Sequence, residues 1–244
     1  MTATTDDDAT HDHEVLAVVI GRAGSKGLPR KNLLPLAGIP MIAHTIRFAK
    51  ASPSVGRTVV STDGEEIAAV ARAEGCEVVL RPAALAGDAA PVDAAVRHAV
   101  EACGSRAGIV LVLYANVPVR PPDLAERAIA RLVATGCDSV QSYYRVGKVH
   151  PYWMSAMDDE GRMTQFIENR IHRRQDLPPL HMLDGGLIAV RRRSLFTVRE
   201  GEPHAFLGAD RRGIETAEGE VVDIDGAVDL ALAEAVLASR GGAS

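Results

Sequence analysis

Four basic residues crowd one short stretch, VVIGRAGSKGLPRKN (18–32): Arg22, Lys26, Arg30 and Lys31, with no acid among them. Gly21, Gly24, Gly27 and Pro29 keep the stretch out of helix and strand. Glycines let backbone N–H groups approach an anion, and Arg and Lys neutralise its charge. The loop therefore suits phosphate, with a nucleoside triphosphate as the natural ligand; the same residues also read as a basic turn standing in water. Neither common phosphate-loop pattern fits. A G-x-x-x-x-G-K loop would need glycine where Lys26 stands, and G-x-G-x-x-G would need it at Ala23.

A second candidate is D-x-D in VVDID (221–225). On an expected strand, Asp223 and Asp225 project from the same face. Two hard oxygen ligands beside a triphosphate are what Mg²⁺ takes, completed by phosphates and water. Spacing alone equally allows two solvated acids. A third is the basic cluster Arg170, Arg173 and Arg174, followed by Gln175. A guanidinium binds a carboxylate bidentately, and a solvated turn before Pro178 is the other reading. His150, Tyr152 and Trp153 read as structural, and Cys76 as core.

Net charge is −5, from 32 acids and 27 Lys and Arg. Five of the acids (Asp6, Asp7, Asp8, Asp12, Glu14) precede the first Lys or Arg, and 32 − 5 leaves 27 against 27. The body is neutral, which argues against a general nucleic-acid or membrane surface. Residues 1–14 read as a disordered acidic tail, with no basic start or apolar stretch of a targeting peptide. Cys76, Cys103 and Cys137 lack C-x-x-C spacing, which disfavours a disulfide framework or cysteine zinc site and suits a reducing cytoplasm.

The elements that must position these residues alternate. VLAVVI (15–20), RTVVST (57–62), CEVVL (76–80) and IVLVLY (109–114) read as buried strands. Helical patterns follow at MIAHTIRFAKA, 64–74, 91–103 and 121–136, the last with a glycine stop. Such alternation implies a largely parallel sheet covered on both faces. From Asp138 to about Asp184 the rhythm breaks. That segment holds Tyr143, Tyr144, Tyr152, Trp153 and Phe166 and a hairpin-like DDEG turn, and reads as an excursion. LIAV (187–190) and VVDID return to strand, and 228–238 closes with a helix.

Strand one followed by R-x-x-S-K-G-x-x-x-K-N resembles the signature of the acylneuraminate cytidylyltransferase family, the CMP-sialic acid synthetases and their relatives. VVSTDGEEIAAVARAEGCEVVLRPAALAGD (59–88), HPYW (150–153), RRQDLPP (173–179), DGGLIAV (184–190) and VDIDGAVDLALAEAVL (222–237) resemble further stretches of that family, in order, over about 15–238.

The resemblance implies a Rossmann-like α/β fold of the nucleotide-diphospho-sugar transferase type: one domain over 15–238, a dimerisation arm at about 140–185 and a flexible 239–244 tail. It implies CMP transfer from CTP to a 2-keto acid sugar with Mg²⁺, in a cytoplasmic homodimer. Arg22 and Lys31 are expected on the triphosphate as catalytic residues. Gly21, Ser25, Asn32 and Arg81 should hold the nucleotide, Tyr114, Asn116, Arg174 and Gln175 the acceptor, and Asp223 and Asp225 the metal. One strip departs from the family. Where it shows Q-P-T-S-P-L-R, this chain has Y-A-N-V-P-V-R (114–120), which recasts the acceptor wall and points away from N-acetylneuraminate. A non-sialic or non-sugar acceptor, or a nucleotide-binding homologue acting as a partner subunit, are the alternatives. A sugar-1-phosphate nucleotidyltransferase is disfavoured, because its G-x-G-T-R start is absent.

Overall fold

The computed structural model describes residues 11–24, 27–87 and 90–241. Strand β1 (Val15–Ile20) is buried along its whole length. Val15, Ala17 and Val19 enter one apolar cluster while Leu16, Val18 and Ile20 enter another, so its unbroken apolar run reflects burial on both faces. A two-stranded hairpin, β2 (Pro35–Leu36) and β3 (Ile39–Pro40), leads into α1 (Met41–Ala51). Then come β4 (Arg57–Thr62), α2 (Glu65–Ala73), β5 (Glu77–Leu80), α3 (Val92–Ala102), β6 (Ile109–Tyr114) and α4 (Leu124–Thr135). Helices α1, α2 and α4 pack on the first face of β1, and α3 on the second. These elements match the expected ones to within a few residues.

Beyond α4 the chain departs from its expected course. Strands β7 (Ser139–Arg145) and β10 (His181–Arg191) both belong to the main sheet, flanking a smaller hairpin of β8 (Ser155–Met157) and β9 (Met163–Gln165). The excursion is therefore 146–180, shorter than its expected bounds. Tyr143 and Tyr144 stand on β7, not on the arm. A short helix α5 (Arg192–Leu195), an edge strand β11 (Arg211–Thr216) and a long helix α6 (Ala227–Gly241) complete the chain. The sheet order is β11-β7-β10-β6-β1-β4-β5. All neighbouring pairs are parallel except the two made by β10, which runs against β6 and β7.

His150 ties the arm together. It is buried, its Nδ1 accepts from the Tyr152 N–H (3.2 Å) and its Nε2 lies 3.2 Å from the Pro178 carbonyl. The Trp153 indole donates to the Ile171 carbonyl at 2.8 Å. Both residues are structural, as expected. The DDEG turn closes β8 onto β9, leaving Met157 exposed at the tip of the hairpin (68 %) and Phe166 exposed at its base (70 %).

The VVDID segment is extended but is not a strand: it makes a single antiparallel bridge, Val222 to Val119. Val222 and Ile224 point inward with Leu36, Met41, Val119 and Ala233, so Asp223 and Asp225 point outward. At the termini, residues 1–10 and 242–244 lie outside the described residues. His11 to Glu14, expected in the tail, form a bend whose His11 carbonyl accepts from the Gly108 N–H at 2.8 Å. Helix α6 runs on to Gly241, into the stretch expected as a tail. No described helix is long and apolar enough to cross a membrane.

Fully buried Ile224 is what seats the two acids. Ile224→Ala should lower stability by about 2–5 kcal/mol, read as the midpoint of denaturant unfolding; an unchanged midpoint would contradict this packing role.

Candidate functional site

Because β1, β4, β5 and β6 run parallel, their carboxyl ends open along one edge, where an α/β sheet binds its ligands. Gly21 follows β1 directly and donates its N–H to the Ser61 carbonyl (3.1 Å). A Cβ there would meet that of Ala115 at 2.9 Å. The loop is then tethered twice: the Ala23 N–H donates to Asp63 (2.8 Å), and Asn32 Nδ2 donates to the Arg22 carbonyl (2.9 Å). It returns through Arg30, held in a left-handed conformation (φ 55°), into a 3₁₀ turn over Lys31–Leu33. On the way Gly27 lies against the D-x-D segment, so closely that a Cβ would stand 2.6 Å from the Asp225 carbonyl oxygen. Ser25 and Lys26 lie outside the described residues.

These groups surround a cavity of about 310 Å³, lined by Gly21, Arg22, Lys31, Asn32 and Arg81, with Tyr114 and Asn116 at its far wall. Arg81 is anchored by its N–H to the Thr62 carbonyl (2.9 Å) and by Nη2 to the Ser61 carbonyl (3.0 Å). Burial lowers the pKa of its guanidinium, Asp63 opposing and Arg22 adding to the shift. Asn32 Oδ1 and Arg81 Nε are buried with no partner among the described residues. One is an acceptor and one a donor, and a ligand would satisfy both.

At the mouth, Lys31 Nζ donates to Asp225 Oδ1 at 2.8 Å; the Lys31 side chain is 14 % exposed and that of Asp225 80 %. Asn116 Nδ2 donates to Asp223. Desolvation, with the Asp225 charge second and Lys31 opposing, pushes the Asp223 carboxyl up to about 6. Asp229 accepts from the N–H groups of Asp225 (3.0 Å) and Gly226 (2.8 Å) and so fixes the turn into α6. Among the described residues no group of three or more His, Cys, Asp or Glu gathers as a metal cage. Two outward carboxylates beside a cationic cavity are the hard, incomplete donor set that a Mg²⁺ sharing phosphate oxygens would use.

Tyr114 and Asn116 have a second face. They also line a larger cavity of about 620 Å³, together with Tyr144, Asp184, Glu218 and Asp223. No Lys or Arg among the described residues lines it. Burial, then the nearby Asp223 charge, raises the Tyr114 phenol pKa. Asp184 accepts from the Gly186 N–H (2.8 Å), from Thr216 (2.7 Å) and from Ser142.

Arg174 and Gln175 are not brought to either cavity. They line a separate hollow on the arm with Arg145 and Pro178.

Sequence reasoning missed Asp184, Thr216 and Arg120. The DGG triplet was a usable signal for the first. Thr216 sits on the unrecognised β11. Arg120 is buried, its pKa brought down to about 9 by desolvation against the opposing charges of Asp223 and Asp184.

Residues 16–165 match the model of a family described as cytidylyltransferase. The chain belongs to the cytidylyltransferase family. It is 31 % identical over 231 residues to CMP-N,N'-diacetyllegionaminic acid synthase of Legionella pneumophila, covering 91 % of this chain and 96 % of that protein. Against N-acylneuraminate cytidylyltransferase of Streptococcus agalactiae it is 32 % identical over 193 residues, 75 % of this chain. That match takes in 46 % of the relative, so the chain spans about half its length. Among solved structures, CMP:2-keto-3-deoxy-manno-octonic acid synthetase complexed with CTP shares the fold, with a TM-score of 0.71 at 18 % identity over 93 % of this chain and 99 % of that one. The 4-diphosphocytidyl-2C-methyl-D-erythritol synthase of Anaerococcus prevotii gives a TM-score of 0.62 at 12 % identity, over 93 % of this chain and all of that one.

In this chain the basic cavity should bind polyphosphate through Lys31 without depending on Lys31 to fold. The Lys31–Asp225 pair is open to water on the acid side, so Lys31→Ala should change unfolding free energy by less than about 1 kcal/mol. The same variant should weaken inorganic triphosphate binding about tenfold or more, the loss of one charge-assisted contact. Titration calorimetry with an unchanged triphosphate affinity would remove Lys31 from the anion site.

Proposed function

We propose that this chain transfers CMP from CTP to the anomeric hydroxyl of a 2-keto acid sugar of the nonulosonate class and releases pyrophosphate. One observation carries the reading: a basic cavity and a larger polar cavity share the wall made by Tyr114 and Asn116, with Lys31 and the D-x-D pair at the junction. Gly21 and the tethered loop present backbone to the triphosphate, Arg22 and Lys31 balance its charge, and Asn32 and Arg81 offer their unpaired atoms to the nucleoside. The acceptor hydroxyl attacks the α-phosphorus in line and gives up its proton to water, the new P–O bond forms as the bond to pyrophosphate breaks, and Lys31 stands where charge develops. Such a step needs positioning and charge neutralisation more than covalent help. Asp223 and Asp225 would hold a Mg²⁺, which when bound neutralises phosphate charge.

The Legionella relative, matched along almost its full length, supports an acylamino nonulosonate as acceptor. Tyr114 offers a flat face and one hydroxyl, which suits a deoxy or acylamino edge. The altered 114–120 strip also favours a second reading, a nucleotide-binding partner subunit without turnover. Against it, Lys31, Asp223 and Asp225 are all present and adjacent. Three free thiols support a reducing, cytoplasmic setting.

The larger cavity carries Asp184, Glu218 and Asp223, an unfavourable field for a keto acid unless a cation comes from elsewhere. The arm has that cation in Arg174, and its exposed Met157 and Phe166 suit a subunit contact. We therefore propose a homodimer in which each arm brings Arg174, with Gln175, over the acceptor site of its partner.

Pyrophosphate release from CTP with a mixture of nonulosonic and octulosonic acids, products identified by mass, tests the activity. A CMP-nonulosonate is expected, with N-acetylneuraminate consumed more slowly and the Mg²⁺ dependence altered in Asp225→Asn. Release with none of the acids would favour the partner-subunit reading.

Mixing inactive Lys31→Ala and Arg174→Ala subunits tests the shared site. In a two-fold dimer, random exchange should restore about a quarter of wild-type activity, because half the dimers are mixed and each has one complete site. No recovery would place Arg174 in its own subunit's site, and an Arg174→Ala protein that is active before mixing would place it in none.

A further inference from the structure

Arg120 lines neither cavity and is 3 % exposed, yet it carries a full guanidinium into the core. Among the described residues it makes no ion pair. Its hydrogens go instead to neutral oxygens from three segments. Nε donates to the Gly186 carbonyl (2.5 Å), Nη1 to the Thr45 hydroxyl (3.0 Å) and the Val117 carbonyl, and Nη2 to the Tyr114 carbonyl (3.0 Å). Thr45 in turn donates to the Val117 carbonyl at 3.1 Å, and the guanidinium lies 5.2 Å from the centre of the Phe48 ring.

A buried cation among neutral acceptors is expensive, and a hydrocarbon of like volume fills such a space without that penalty. What a hydrocarbon cannot do is hold carbonyls from separate segments in one plane, which the rigid fork of arginine does. The carbonyls it holds are specific. Tyr114 and Val117 bracket Asn116 on the wall between the cavities. Gly186 lies in the irregular register of β10, between Leu183 and Ile188, beside Asp184 and Gly185 of the opposite wall.

We propose that Arg120 is a positioning residue for acceptor recognition: it locks the 114–117 strip to the irregular 184–187 stretch of β10 and so fixes the width of the larger cavity, touching neither substrate. This rests on the reading above that the larger cavity takes the acceptor.

The test compares wild type with Arg120→Lys, which keeps the charge and loses the fork, and Arg120→Met, which keeps the volume. Thr45→Val removes one partner of Arg120 and serves if both arginine variants fail to fold. For Arg120→Lys the acceptor KM should rise about tenfold or more while the CTP KM stays within about twofold, since a small misplacement at a binding wall is costly only for the ligand it faces. Peptide hydrogen exchange should quicken over 114–119 and 184–188 and stay unchanged over 57–62. Thr45→Val should shift the same quantities in the same direction, by less. Equal rises in both KM values, or unchanged exchange in the two segments, would overturn the proposal. A wild type that transfers CMP to no acid sugar would sink the enzymatic reading alone, and the exchange pattern would still decide the role of Arg120.

Discussion

Lys31 and Asp225 stand 194 positions apart in sequence and 2.8 Å apart in space, and the rest of the site is arranged around that approach. A half-exposed ion pair contributes about 0–1 kcal/mol, too little to hold two segments together. The holding is done from below, by Leu36, Met41, Val119, Val222 and Ile224 packed in one apolar cluster. It is permitted from the side by Gly27, where a methyl group would strike the Asp225 carbonyl. Apolar burial supplies the energy, a missing Cβ the clearance and opposite charges the alignment.

The division of charge between the two cavities is local. The folded body has no overall excess of either sign, yet one hollow is ringed by Arg22, Lys31 and Arg81 and its neighbour by Asp184, Glu218 and Asp223. Fields of opposite sign on the two sides of one wall sort ligands by charge density before any hydrogen bond is formed. The most highly charged ligand, a polyphosphate, has a favourable field on one side only.

Much of this was legible in the sequence, for reasons that differ by element. Strands β1, β4 and β6 announced themselves because strands buried on both faces are continuous apolar runs, and α1 to α4 because one-sided burial imposes a helical period. Strand β11 did not, since Arg211–Thr216 is an edge strand that buries only Ile214 and Thr216 and looks like surface. The arm was drawn too long because Tyr143 and Tyr144 resemble its aromatics, while their pairing with β10 depends on residues some 40 positions away. The basic loop and the D-x-D pair were readable from residue type. That VVDID would stay extended without joining a sheet was not, because its single bridge to Val119 is a tertiary accident of register. Arg120 was invisible as a core residue, because its burial follows from carbonyls in segments that only the fold brings together.

The wall formed by Tyr114 and Asn116 is one residue thick, and each side of it belongs to a different compartment. A substitution there is therefore never a change to one compartment alone: volume given to one side is taken from the other. Relatives that keep the basic hollow can vary more freely at residues lining only the larger one, such as Tyr144 or Leu232. The strip itself admits just those replacements that preserve its surface toward the basic hollow. Variation of the larger hollow should thus be written mainly on its outer rim, with the partition changing rarely and in correlated steps.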